Sequence, residues 1–290
     1  MTEITTLLQI FIWGLTAGCI YVLMAVGLNM IFGVMKVVNF AHGEIMMLGA
    51  FASFGLYYYT GLNPYFLMLF SMVIIGVFGV MIERFGFRKV LGTGKLNEIF
   101  LSLGLIYILQ NAAVKLWTDD IRKINSPYSS MTLDLGVLNI TYDRIIAIAF
   151  TALILICLYL FLTRTDIGRA LRATSQNHEA AMLMGVNVNH MYMLSFGIGA
   201  ALAASAGTVH AILSPFNPYM GTIPGIMAFT VIIIGGLGSI PGAIIAGLML
   251  GLVQNFTIFY FGGAWKEAVA FILLIIVLVI KPTGIFGEEH

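Results

Sequence analysis

Charge is scarce in this sequence. Asp, Glu, Lys and Arg make up 9% of the 290 residues, while hydrophobic residues reach 60%; an ordinary soluble domain carries about 25% charged residues. Water is therefore not the main solvent of the chain. The 14 Lys and Arg nearly balance the 13 Asp and Glu, so the clustered positive face that a nucleic acid would need is missing. Cysteine is nearly absent. Cys19 and Cys157 each lie in an apolar run, which excludes a disulfide framework and a zinc site and leaves them as small core residues. The phosphate-cradling pattern of glycine, four residues, Gly-Lys and Ser or Thr is lacking too. Gly94-Lys95 comes nearest, but Leu96 follows it and Lys89 stands where the first glycine belongs. Any ATPase must be a separate chain. A cleaved leader would need a basic start, and only Glu3 precedes an apolar run from Leu7 to about Met35, so that run reads as a span.

What is present is a succession of apolar stretches. A bilayer core is about 30 Å thick and takes about 20 helical residues to cross. On that ruler the stretches run from Leu7 to Ile31, Phe40 to Tyr59, Pro64 to Ile82, Glu98 to Trp117, Ile145 to Leu162, Met191 to Leu213, Ile223 to Ile234, Ile240 to Phe261 and Trp265 to Ile280. The pattern predicts an all-α, polytopic transmembrane protein of about eight or nine membrane segments with broken or re-entrant helices, forming one transmembrane domain over 1–290. Ile223 to Ile234 is too short for a straight crossing, and the last stretch is short as well.

Irregular backbone at membrane depth is tolerated only where protein or a water-lined cavity satisfies it, so breaks point to a pathway. Two stand out: Asn39-Phe40-Ala41-His42-Gly43-Glu44 and Gly235-Gly236-Leu237-Gly238-Ser239-Ile240-Pro241-Gly242. Asn39 and Ser239 are good helix N-caps and Pro241 suits a first turn, so each break is expected to open a helix. The two are candidates for equivalent points of two repeats. Lys and Arg collect on the cytoplasmic side of short loops. Arg84, Arg88, Lys89 and Lys95 fall in one loop and Arg164, Arg169 and Arg172 in another, which must share a side. That side also receives Lys36 and Lys281, while the loop from Thr118 to Tyr142 lies outside and the N-terminus is external; one re-entrant segment would reverse the last assignment.

The loop over residues 163–190 is the most informative. Asn177 can cap a short helix with Glu179 in its first turn and Gly185 at its end. Such a helix cannot bury its own apolar side and is expected to dock into a partner's groove. At Glu179, Ala180, Ala181 and Gly185 this loop resembles the cytoplasmic coupling loop of bacterial ABC importer permeases, which carries Glu-Ala-Ala, three residues, Gly. A wider resemblance, to permeases of the branched-chain amino acid importer family, rests on five ordered blocks: Asn39 to Glu44 with Leu48-Gly49-Ala50; Gly168-Arg169-Ala170 with Arg172-Ala173; Glu179 to Gly185; Gly235 to Ala243; and Lys281 to Gly287. The resemblance implies a multi-pass protein of the bacterial inner membrane, set in lipid. It would work with a second homologous permease, two ATP-binding subunits that hold ATP-Mg, and an external substrate-binding protein, while binding no cofactor itself. Members of that family also carry other small amides and amino acids, including urea.

Each candidate residue also has a plainer reading. His42 and Glu44 fit a proton relay or ligand pair, or partly wet packing groups at the cytoplasmic helix boundary; no further His or Cys gathers with them for a metal. Gly235, Gly236, Gly238 and Gly242 either line a passage or let helices approach. Asn29, Gln110 and Asn111 suit a pore wall or, more simply, interhelical hydrogen bonds. Arg169 and Arg172 either pair with an ATPase or merely orient the chain. The resemblance implies alternating access driven through the Glu179 to Gly185 helix, and the breaks suggest Asn39, His42, Gly43, Glu44, Gly235, Gly236, Gly238, Ser239 and Pro241 on the pathway. The rivals are a secondary transporter or channel coupled through His42 and Glu44, and an intramembrane enzyme, for which no nucleophile and base or metal set is apparent.

Overall fold

The computed structural model describes residues 3–134 and 139–287; residues 135–138 of the expected external loop, and the two chain ends, lie outside them. Twelve helices follow one another: α1 (Glu3–Met35), α2 (His42–Thr60), α3 (Pro64–Ile82), α4 (Arg88–Val90), α5 (Lys95–Trp117), α6 (Tyr142–Arg164), α7 (Asp166–Gln176), α8 (His178–Leu183), α9 (Val188–Leu213), α10 (Thr222–Gly235), α11 (Ile240–Phe261) and α12 (Lys266–Ile280). A π-helical turn, Glu83–Phe87, fuses α3 to α4, and a small antiparallel hairpin, β1 (Thr132–Asp134) and β2 (Asn139–Thr141), precedes α6. Among the described residues seven helices are long and apolar enough to span a bilayer, and α10 is a shorter apolar helix.

Helix α2 departs from the expected simple crossing. His42, its first residue, lies with Nε2 3.2 Å from the carbonyl oxygen of Met24, roughly 16 Å back from the end of α1 at Met35. The chain leaves α1, turns at Lys36 with a positive φ of 57°, and re-enters the bundle before α2 starts. Residues 214–221 do the same after α9. An added Cβ on Gly221 would collide with the Gly43 backbone, so α10 starts beside the start of α2. From there α2 runs alongside α9, with Gly49 against Ala204 and Ser53 Oγ 2.6 Å from Thr208 Oγ1. The other half-helix, α10, runs the opposite way, to the end of the bundle that carries Lys281.

The order of elements α1–α2–α3 is thus repeated by α9–α10–α11 in inverted orientation, an arrangement that recurs in membrane transporters. Packing follows the same symmetry. Gly14 and Gly18 of α1 meet Leu252, Gly251 and Leu248 of α11, while Gly76 and Gly79 of α3 meet Gly197, Ala201 and Ala200 of α9. The expected pairing of breaks needs correction here. The counterpart of the break before α2 is residues 214–221; Gly235 to Gly242 is a turn at the basic end joining α10 to α11.

Helices in lipid gain little from the hydrophobic effect between them, so small residues that admit close backbone approach hold the bundle. The inner helices carry these seams. The outer ones face outward: in an apolar 18-residue window of each span, only 6% of the residues in Gly263–Ile280 and 17% in Lys95–Trp117 are buried, against 72% in Val188–Leu213. Gly251→Leu is expected to force α11 off α1, overpacking that costs at least about 1–3 kcal/mol. Its thermal unfolding midpoint in detergent should fall, whereas Gly104→Leu, where an added Cβ meets nothing within 4 Å, should leave it in place.

Candidate functional site

Two cavities open into the bundle from opposite ends. The outer one, about 430 Å³, reaches Ala17, Ile20 and Tyr21 of α1 and Ile223 and Pro224 at the start of α10. The inner one, about 290 Å³, touches Asn29, Met30, Gly33 and Val34 of α1 together with Gly238, Ser239 and Pro241. Between Tyr21 and Asn29 lies a closed layer roughly 12 Å thick, in which Leu23, Met24, Ala25, Val26 and Leu28 are fully buried.

The starts of α2 and α10 sit in this layer, and so does a cluster of polar groups. Asn39 is fully buried, and its Oδ1 accepts from the backbone N of Ala41 at 3.0 Å. The cap position of α2 therefore belongs to Ala41, which supplies no side-chain cap, and Asn39 instead tightens the turn before it. His42 and Glu44 are buried as well, at 0% and 2% exposure. The partly wet boundary expected for them is not where they lie, because the re-entrant segment carries them into the bundle. Gln110 of α5 donates from Nε2 to Glu44 Oε1 at 2.9 Å and to Thr222 Oγ1 at 3.4 Å, joining the first turns of α2 and α10. Asn39 Nδ2, His42 Nδ1 and Glu44 Oε2 have no partner among the described residues. An unpaired buried polar atom costs about 1–3 kcal/mol, so three of them gathered at one level mark a place where the resting structure is not at its own optimum. Gly43 provides the close contact with Gly221, and Phe40 stacks on Phe229 with ring centroids 4.8 Å apart.

The glycine-rich turn divides between two jobs. Gly235 packs on Gly242, and Gly236 and Gly284, with φ of 103° and 82°, press together. Ile285 and Phe286 donate to the carbonyls of Ile234 and Gly235 at 2.8 and 3.1 Å, so two blocks distant in sequence form one closure. Gly238, Ser239 and Pro241 face the inner cavity. Ser239 caps α11 by accepting from Gly242 N, as its residue type predicts. Asn29 clamps the turn: its Oδ1 accepts from Gly238 N at 2.7 Å and its Nδ2 donates to Ser239 O at 2.8 Å.

At the basic end, α7 and α8 form a short arm. Asn177 Oδ1 accepts from Ala180 N at 3.0 Å and Gly185, with φ of 84°, ends the helix, as the loop sequence predicts. Glu179 and Ala180 are exposed and Ala181 is buried at 4%. Leu183 and Met184 are 88% and 84% exposed. Arg169 pairs with Asp166 on the surface, and Arg172 borders the inner cavity. Behind the arm lies an ion pair that sequence reasoning missed. Arg88 makes a two-pronged contact with the fully buried Glu83, at 2.8 and 3.0 Å, and also donates to Asn189 O at 2.9 Å, tying α4 to the start of α9. No sequence signal separates this pair from an orienting basic loop. Thr222, Gly221 and the outer cavity's Lys266 and His210 were missed too, because only the fold brings them together.

Half-helices that start inside a bundle, with a sealed layer between two facing cavities, define a polytopic membrane permease. The comparisons give the particular family: residues 10–278 match the model of the branched-chain amino acid transport system permease component, and the chain belongs to that family. It is 38% identical to the high-affinity branched-chain amino acid transport system permease protein BraD of Pseudomonas aeruginosa, covering all of this chain and 99% of that one. It is 35% identical to the corresponding protein LivH of Escherichia coli, over 96% of this chain and 94% of that one. Among solved structures it is similar in fold to PsaBC from Streptococcus pneumoniae, with a TM-score of 0.52, 14% identity and coverage of 94% and 92%.

Asn29→Leu would remove the two hydrogen bonds that hold Gly238 and Ser239 at the α10–α11 turn, each worth about 0.5–1.5 kcal/mol. The expected outcome is a lower unfolding midpoint together with faster proteolysis of residues 235–242, read by mass spectrometry of the cleaved chain.

Proposed function

We propose that this chain is the permease subunit of an ATP-driven importer of branched-chain, hydrophobic amino acids in the bacterial inner membrane. It pairs with a second homologous permease, two ATP-binding subunits that hold ATP-Mg, and an external substrate-binding protein. The observation that carries this reading is the arm at α8: a helix of six residues that leaves Leu183 and Met184 bare at the basic end of a membrane bundle. A helix this short cannot stand without tertiary support, and bare apolar side chains at the end of a loop are a docking surface in need of a groove. By the positive-inside rule this end is cytoplasmic, where an ATPase would sit. The names of the relatives supply the substrate class.

In this reading ATP-driven closure of the ATPases pulls α8. The displacement passes to α9, because Val186 N donates to Ala181 O at 3.0 Å and Asn187 caps α9 directly after it. α9 in turn packs on α1, α2 and α3 through Gly199, Gly207 and Gly197. Moving it parts the starts of α2 and α10 and exposes the closed layer to one cavity at a time. A secondary transporter using His42 and Glu44 has their burial in its favour, but it leaves α8 without a purpose.

Two measurements test this reading. Vesicles holding the chain with its candidate partner subunits should take up radiolabelled leucine only with ATP and the binding protein; uptake by this chain alone, driven by an ion gradient, would sink the proposal. Glu179→Lys should lower leucine uptake about tenfold or more, equivalent to at least roughly 1.4 kcal/mol of lost coupling, while ATP hydrolysis continues. Normal uptake by that variant would remove α8 from the mechanism.

A further inference from the structure

The outer cavity holds a cation that its own surroundings do not explain. Lys266 is the first residue of α12, and a helix start disfavours positive charge. It also lies at the end of the bundle away from the basic loops, where orientation gains nothing from a lysine. Its nearest carboxylate is Glu267 Oε1 at 3.9 Å, at the limit of an ion pair and exposed, a contact worth little. Its side chain is 33% exposed and lines the cavity together with His210 of α9. Ser214 and Asn217 add neutral polar groups, and the apolar part of the lining includes Ile20 of α1, Met220 of the re-entrant segment, and Ile223 at the start of α10. The hydroxyl of Tyr21, at the same level, is already donated to Gln254 Oε1 at 2.7 Å, which leaves its oxygen as an acceptor.

We propose that the outer cavity is a receiving site for a zwitterionic amino acid with an apolar side chain, in which Lys266 binds the carboxylate and Ile20, Met220 and Ile223 take the side chain. The Tyr21 oxygen accepts from the ammonium group. This rests on the transport reading above and adds to it a defined stop on the outer side of the closed layer. A cavity of about 430 Å³ leaves room for water around such a ligand, so binding is weak, as handover from a tight binding protein demands: a site that held the ligand firmly would not release it inward.

The test uses the assembled complex in right-side-out vesicles without ATP or binding protein, carrying Cys157→Ser to remove the exposed native thiol and Met220→Cys as a reporter. Because Met220 is itself assigned to the site, the same assay is run with Ser214→Cys, at a cavity-lining residue with no binding role: a small membrane-impermeant thiol reagent should label either reporter, and leucine should slow the labelling, whereas leucinamide, which lacks the carboxylate, should not. Lys266→Met should raise the protecting leucine concentration about tenfold, the loss expected for one contact to a charged group, and Lys266→Arg should largely keep it. Equal protection by leucine and leucinamide, protection unchanged in Lys266→Met, or no protection by leucine would each overturn the proposal. ATP-dependent leucine uptake by the parent complex is measured in the same preparation. Uptake without carboxylate-dependent protection sinks the receiving site alone, and protection without uptake sinks the transport reading alone.

Discussion

Backbone groups cannot be left unpaired inside a bilayer, and two helices of this chain begin there. That constraint organises the rest of the structure. The first turn of α2 offers amide groups that no water reaches, while that of α10 borders the outer cavity; both starts must be held by protein, and α1, α9, α3 and α11 form the surround. Close approach is possible because glycines line the contacts: Gly43 on Gly221, Gly27 on Gly199, Gly207 on the Met46 carbonyl. The polar side chains needed at that depth, Asn39, His42, Glu44, Gln110 and Thr222, then follow from the start of the half-helices. The outer helices α5, α6 and α12 begin at the ends of the bundle and bury far less of their surface, although α5 sends Gln110 into the cluster.

The closed layer is held by many small contacts and few strong ones. Interhelical hydrogen bonds in membranes average about 0.6 kcal/mol each, and the Glu44–Gln110–Thr222 bridge includes one bond at 2.9 Å and one long one at 3.4 Å. Three atoms at this level are left unpaired. A seam with close packing and incomplete polar pairing can part without an excessive penalty. The Glu83–Arg88 pair, by contrast, is fully engaged and joins α4 to the start of α9. The inner end of α9 is therefore firmly anchored, and the unpaired groups lie at the layer near its middle.

Local chemistry made much of this legible from sequence. The caps Asn177 and Ser239, the helix end at Gly185 and the apolar runs are each determined by a few neighbouring residues, and the structure has them where the residue types put them. The short stretch at Ile223 to Ile234 pointed to a broken crossing, and α10 is one. What failed were inferences about depth. Asn39 has the composition of a helix cap, yet the cap of α2 is Ala41, because the chain folds back after Lys36. Of the two readings of His42 and Glu44, the partly wet boundary fails, because sequence distance from Lys36 is not spatial distance. The inverted repeat was paired at the wrong break because glycine and proline mark both a surface turn and a re-entrant segment. The outer cavity draws its lining from α1, α9, α10 and α12, a convergence that no local pattern encodes.

The central claim is that the starts of α2 and α10 separate during each transport cycle. Phe40 and Phe229 stack across that seam without belonging to the polar cluster, so Phe40→Cys with Phe229→Cys in a Cys157→Ser background allows a reversible covalent lock. Leucine uptake by the assembled complex should be lost on oxidation and regained on reduction, with the complex intact throughout. Uptake at the reduced rate by the fully cross-linked complex would contradict the account.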